Sequence, residues 1–407
     1  MHLTHLSLTN FRNFARLDMD VPRRVILLMG DNAQGKTSVL EAIYFLAAFT
    51  SLQTHLDRQL VNFIAAREPL AVARLVGEYT RGPTAHKLEV RLILEPTGVN
   101  PHISGAGGQR LRKEILLDGV KRPLAEVIGH FNAVIFIPQM MQIVEGGPEE
   151  RRRYLNLALS QTIPAYARLL NEYGQVLTQR NALLKQLNER GGDVAQLDAW
   201  DDKLVESGAH IIHQRIRAVQ EIEKLAARAH SELTHHAEIL RMNYLPAYDP
   251  LPRPNGQISM PLDAPADRSK LTLKDIQQGF LQRLKTVRNE EIGRGLTTVG
   301  PHRDELRFLA NGIDLGNYGS RGQTRTALLA LKLAEVEWMK KKTGQWPVLL
   351  LDEVLAELDI QRRADLLAYI EKSEQTLLTT TDLNLFTPSF LEKGRVWQVR
   401  EGKVSDQ

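Results

Sequence analysis

Gly30-Asp31-Asn32-Ala33-Gln34-Gly35-Lys36-Thr37 has the spacing G-x-x-x-x-G-K-T, a phosphate-binding P-loop. The residue types indicate the chemistry. Gly30 and Gly35 let the backbone curl until its N–H groups point at phosphate oxygens. A helix start adds a partial positive field. Lys36 is placed to reach the β- and γ-phosphates, and the Thr37 hydroxyl is a Mg²⁺ ligand. The apolar run 25–29 before the loop suits a buried strand, and residues 38–46 after it suit a helix. That setting weighs against a chance glycine-rich turn. A nucleoside triphosphate is the expected ligand; the loop alone does not say what its energy is used for.

A second constellation lies far along the chain. Val348-Leu349-Leu350-Leu351-Asp352-Glu353 is an apolar strand ending in two acids, the Walker B pattern. Asp352 would hold Mg²⁺ directly or through water, and Glu353 would polarise the attacking water as general base. Ala356-Glu357-Leu358-Asp359 follows at the D-loop position. Before both comes Ser320-Arg321-Gly322-Gln323, at the start of a predicted helix. Its Ser320 hydroxyl and Gly322 N–H can meet an anion there. Alone it is a weak pattern whose competing reading is an N-capped helix. Its position, after a helical insertion and shortly before Walker B, is that of the signature of ATP-binding-cassette heads. In those heads it contacts the γ-phosphate held by the other subunit.

The elements that must position these residues follow from pattern. Residues 1–30 alternate as strands, with Leu17, Met19 and Val21 on one face. Further strands are expected at 71–76, 88–94 and 132–138, a hairpin turn at Asp118-Gly119, and loops at 96–98 and 105–108. From Glu149 to about His236 the pattern is helical, divided into three by Ile163-Pro164 and Gly191-Gly192. The prolines of 245–266 make an irregular connector. A helix follows over 273–288, then a strand at 306–309, a turn at Asn311-Gly312 and a helix over 323–341. An α/β head split by a helical insertion is expected.

Composition narrows the classes. The chain has 407 residues, 43% hydrophobic, 25% charged and without cysteine. Disulfides, thiolate metal clusters and thiol catalysis are excluded, and an intracellular setting is expected. Residues 1–6 lack the pattern of a secretory signal, and no apolar run approaches a membrane span. The formal charge of +4 permits nucleic-acid binding without demanding it. Arg112-Lys113, Arg151-Arg152-Arg153, Lys340-Lys341-Lys342 and Arg362-Arg363 read singly as solvated faces.

The chain resembles the RecF family of bacterial recombination mediators along nearly its whole length. The resemblance rests on Asn10–Phe14, on Asn32–Thr37 running into Leu40–Tyr44, on Val144–Pro148 leading to Arg151–Leu155, on Gln179–Lys185 and Trp200, on Gly300–Leu306 and on Tyr318–Gln323. It implies an α/β fold: a Rad50-like ABC ATPase head formed by the N-terminal part (1–145) and the C-terminal part (296–407), with an inserted α-helical arm domain (146–295). It further implies ATP and Mg²⁺ as cofactors, slow hydrolysis, an ATP-dependent homodimer, and cytoplasmic binding to DNA. RecR and RecO would be partners in loading RecA for gap repair, replication restart and SOS induction. Duplex DNA and single/double-strand junctions are the favoured targets, since no aromatic-plus-basic platform for single strands is evident.

By motif position Arg12 is either a phosphate contact or an exposed turn arginine. Gln139 takes the place of a Q-loop ligand of Mg²⁺ or water, where the family often has an acidic pair. Gln53 stands where an arginine is expected. Thr379-Thr380-Thr381-Asp382 replaces the switch histidine, which fits slow turnover. His302 is read as structural or DNA-contacting rather than as an acid–base group. The alternative function is an SMC-like ATPase used as a nucleotide-sensing scaffold, or as partner of a transport or metabolic complex.

Overall fold

The computed structural model describes residues 1–54, 56–96, 109–251 and 267–406. The loop expected at 105–108, part of that at 96–98, and the 252–266 part of the proline-rich connector lie outside the described residues. The chain forms two compact units, one of Met1–Gln139 with Met339–Gln407 and one of Met140–Trp338.

The first unit joins the two ends of the chain in a mostly parallel sheet. Its order is Lys403–Asp406, Arg395–Arg400, Val25–Met29, Thr376–Thr380, Val348–Asp352, Ala133–Phe136, with Lys403–Asp406 antiparallel to its neighbour. The inner strands are apolar and buried, as a sheet covered on both faces requires. Thr376–Thr380 separates the P-loop strand from the Walker B strand. Register puts Leu28 beside Thr379, and Thr379 beside Asp352. The carboxyl ends of three strands thus come level, the usual ligand edge of an open α/β sheet.

A second, antiparallel sheet runs Phe14–Asp20, His2–Phe11, Ala71–Arg81, Thr84–Pro96, Gln109–Leu117, Val120–Lys121. Its last hairpin turns at Asp118 and Gly119, with φ of 51° and 80°, the geometry of a two-residue primed turn. The helix Lys36–Ala48 touches both sheets and is buried on every side. That explains its lack of a polar face. Each of Leu40, Ile43 and Phe45 removed from water contributes roughly 1.5–3 kcal/mol, so the helix that starts at the P-loop is anchored along its length.

The second unit carries the three expected helices, Pro148–Thr162, Tyr166–Arg190 and Gln196–Leu233, then Leu273–Arg294. Within it a small sheet, Ile313–Asp314, Glu305–Ala310, Leu240–Leu245, packs on the helices. Leu240–Leu245, Thr376–Thr380, Arg395–Arg400 and Lys403–Asp406 are strands that pattern did not announce. They are short and polar-studded, and pairing rather than composition makes them strands. Arg151 corrects the reading of its cluster as a solvated face. It is buried, donates to the Gly146 carbonyl at 2.6 Å and pairs with Glu305 at 2.7 Å.

Two buried arginines organise this unit. Arg180 meets Asp201 at 2.7 Å, Thr297 at 2.7 Å and Glu291 at 2.8 Å. Arg215 meets Asp304 at 2.7 Å, the Pro301 carbonyl at 2.6 Å and Asn156 at 2.9 Å. Gly300 has φ of 132°, and a Cβ there would lie 2.4 Å from the Tyr173 hydroxyl. The stretch Gly300–Glu305 is therefore a packing joint between helices and strand. His302 belongs to it. Its Nε2 donates to the Thr297 carbonyl at 3.1 Å, so its Nδ1 accepts from Tyr173 Oη at 2.6 Å. Burial lowers its pKa to about 4.

Candidate nucleotide-binding site

The P-loop occupies residues 30–35 between Val25–Met29 and Lys36–Ala48, all in the first unit. The two glycines are needed for different reasons. Gly35 has φ of 114°, and a Cβ there would lie 2.5 Å from Asn13. Gly30 needs no unusual φ; a Cβ there would lie 2.3 Å from the Val399 carbonyl oxygen of the neighbouring strand. Close backbone approach, not chain reversal, fixes glycine at that position. The tip is held from outside the loop. The Gln34 carbonyl accepts from Asn13 Nδ2 at 3.1 Å, and the Gln34 side chain accepts from the Glu401 N–H at 2.7 Å.

Lys36 is only 4% exposed. Its ammonium donates to the carbonyls of Gly30 at 2.6 Å and Asp31 at 3.1 Å, and lies 3.3 Å from Glu353 Oε1. Thr37 Oγ1 donates to Asp352, 2.9 Å and 3.0 Å from its two carboxylate oxygens. Thr379 Oγ1 donates to Asp352 Oδ1 at 2.8 Å and accepts from the Glu353 N–H at 2.9 Å. Burial holds the Asp352 carboxyl above its usual range, with the two threonine hydroxyls opposing. Glu353 has φ of 52°, a left-handed conformation that costs a non-glycine residue of order 1 kcal/mol and here aims the acid.

Glu353, Lys36, Thr37, Ser38, Gly35 and Asp31–Ala33 help to line a cleft of about 420 Å³. Arg12, Asn13, Gln59, Val61 and Phe63 complete its lining. Arg12 is at this rim, but its guanidinium is a bidentate partner of buried Glu41, with both contacts at 2.7 Å. The pairing of Glu41 with Arg12 and the bonds of Thr379 to both acids are what the sequence does not announce here. Both are long-range contacts that no local motif encodes.

Gln139, Ser320, Gly322 and Gln323 are not among the residues that line this cleft. Gln139 is exposed in the turn Pro138–Met141. Gln53 is exposed as well. Ser320 and Gly322 are exposed at the start of the helix Arg321–Thr343, in the second unit. Ser320 Oγ accepts from the Gln323 N–H at 3.2 Å, and Gln323 Oε1 accepts from the Ser320 N–H at 3.0 Å. This reciprocal pair is a capping box. A Cβ on Gly322 would meet nothing within 4 Å.

Among the described residues no group of three or more His, Cys, Asp or Glu could hold a metal. One carboxylate and one hydroxyl in contact are nonetheless a suitable donor set for Mg²⁺, which is usually held by one or two protein oxygens plus phosphate and water. No helix among the described residues is long and apolar enough to cross a membrane.

A P-loop, a Walker B pair on the next strand but one, and a split α/β unit define a Rad50-like ABC ATPase head. The RecF/RecN/SMC N terminal domain model matches residues 2–403. An SmcHead crystal structure, bound to the C-winged helix domain of ScpA, shares the fold at TM-score 0.52 and 14% identity, covering 100% of this chain and 98% of that one. Nearer relatives share sequence as well. The DNA replication and repair protein RecF of Herpetosiphon aurantiacus is 38% identical over 99% of both chains, and that of Chloroflexus aggregans 39% identical over 99% of both. The structure of the recombination mediator protein RecF-ATP in the RecFOR pathway matches at TM-score 0.80 and 30% identity, covering 100% of this chain and 97% of that one. The chain belongs to the RecF family.

Proposed function

We propose that this chain is an ATP-dependent DNA-binding ATPase of recombinational gap repair. The observation that carries the reading is the contact of Thr37 with Asp352 beside Lys36 and Glu353, which brings the P-loop and Walker B acids into one site. The structure of a relative described as RecF-ATP supports ATP as the nucleotide.

In this reading the P-loop amides of 30–35 and Lys36 bind the phosphates. Thr37 and Asp352 hold Mg²⁺, with Gln139 as a further ligand or water contact; when bound, the ion neutralises charge developing on the transferred phosphoryl group. Glu353 takes the proton of the attacking water. Thr379 positions both acids but cannot carry a cation as a switch histidine would, which fits slow hydrolysis. Residues 1–145 and 296–407 act as the head and 146–295 as the arm. Ser320, Gly322 and Gln323 of one copy complete the γ-phosphate site of another, so that two nucleotides hold a twofold dimer. Hydrolysis releases it.

The dimer would hold duplex or junction DNA in the cytoplasm, mainly through its backbone, and work with RecR- and RecO-like proteins to load RecA at gaps. The same activity would serve replication restart and SOS induction. Gapped and duplex DNA binding, measured with and without ATP and Mg²⁺ over a salt series, tests this. Binding that rises with ATP and falls steeply with salt is expected. Negligible binding under both conditions would reject the DNA reading.

A further inference from the structure

The P-loop accounts for the phosphates of a nucleotide but not for its base, which needs a contact of its own in the same cleft. The residues lining the cleft include one aromatic ring, Phe63. Phe63 is 67% exposed, so the fold does not use it as core.

The backbone that presents it is held firmly. The Asn62 N–H donates to the Asn10 carbonyl at 2.8 Å, and Asn62 Nδ2 donates to the Arg12 carbonyl at 2.7 Å. The Arg12 N–H donates to the Leu60 carbonyl at 2.8 Å, and Phe11 bridges Val61. Asn62 Oδ1 then accepts from the Ile64 N–H at 3.0 Å, closing the turn directly around Phe63. The Arg67 guanidinium lies over the Phe63 ring, 5.6 Å from its centroid. A cation on a ring leaves the other face for a flat partner. An exposed aromatic, rigidly mounted at the rim of a phosphate site, has the form of a stacking platform.

We propose that Phe63 is the base-stacking residue of this site, taking the purine of the bound nucleoside triphosphate on its free face. The inference rests on the P-loop reading and adds to it a contact for the base. The site then reads its ligand in two parts, the phosphates through Lys36 and the base through Phe63. Stacking tolerates any base with a broad π-face, so guanine would be accepted nearly as well as adenine.

Calorimetry with ATP and with inorganic tripolyphosphate tests this on the full chain. Phe63→Ala should weaken ATP about tenfold, the order of a single aromatic–base stack, and leave tripolyphosphate unchanged. Phe63→Trp should restore ATP affinity. Because the side chain is exposed, neither change should lower thermal stability. Unchanged ATP affinity in Phe63→Ala, or equal loss of both ligands, would overturn the proposal. Failure of the wild-type protein to bind either ligand would instead overturn the P-loop reading.

Discussion

The Thr379 hydroxyl donates to Asp352 Oδ1 at 2.8 Å while its oxygen accepts from the Glu353 N–H at 2.9 Å. One side chain thus braces both acids at the end of the Walker B strand, from the strand that lies between them and the P-loop strand. Thr379→Val keeps the shape and removes both bonds. It strands a main-chain N–H and removes a donor from a buried carboxylate, a cost of roughly 1–3 kcal/mol. Turnover should fall about 10–100-fold, the usual loss when a positioning partner goes, with Mg²⁺-free ATP affinity near wild type. Thr379→Ser should retain most activity. Wild-type turnover in the valine variant would show that the brace is not needed.

Glu353 and Lys36 lie 3.3 Å apart in the cleft, so the acid stands beside the place where the γ-phosphate is expected. Glu353→Gln removes a negative charge from that place and the acceptor of the water's proton. ATP affinity should be equal or higher, and turnover should fall at least about 100-fold. Equilibrium binding and single-turnover hydrolysis read the two effects separately. Turnover equal to wild type would show that Glu353 is not the base.

Legibility in the sequence followed the range of the interactions involved. The strand–loop–helix around the P-loop is local, and so are the hairpin at Asp118-Gly119 and the breaks at Ile163-Pro164 and Gly191-Gly192; each was readable. Gly30 reads in the sequence as a point of chain curvature, but the Val399 carbonyl that excludes a Cβ there comes from the far end of the chain. Thr379 looked like the place of an absent histidine, since its partner Asp352 stands 27 residues away. Arg151 looked solvated because nothing nearby announces Glu305. Thr376–Thr380 and Arg395–Arg400 have no apolar run, and only their neighbours make them strands.

His302 gives the second unit a stability that depends on pH. Burial lowers its pKa to about 4 from 6.5, so the folded state binds its proton less readily than the unfolded chain. The contribution is fully present above pH 6.5 and is lost as pH falls towards 4, up to about 3 kcal/mol in all. His302→Gln can still donate to the Thr297 carbonyl and accept from Tyr173, but does not titrate. Urea midpoints at pH 7 and pH 5 should drop more for the wild type than for this variant. Parallel drops would assign the pH dependence to other groups.

Ser320 offers the sharpest test of a site shared between copies. Its side chain is exposed, and among the described residues its hydroxyl caps the helix Arg321–Thr343 by accepting from the Gln323 N–H. Ser320→Arg removes the cap, at a cost of about 1 kcal/mol, and fills the open face beside Gly322 with a long side chain. Ser320→Asp keeps the cap, because aspartate is a favoured N-cap residue, but places a negative charge where a γ-phosphate should dock. If the loop completes a partner's site, both variants lose ATP-dependent dimerisation in sedimentation, while ATP binding by the monomer stays at wild type because the P-loop lies in the other unit. If the loop merely starts a helix, Ser320→Asp behaves as wild type and Ser320→Arg shows only a small loss of stability. A persistent ATP-dependent dimer in the aspartate variant would therefore reject the shared site, since that change leaves the helix start intact and alters only what faces the partner.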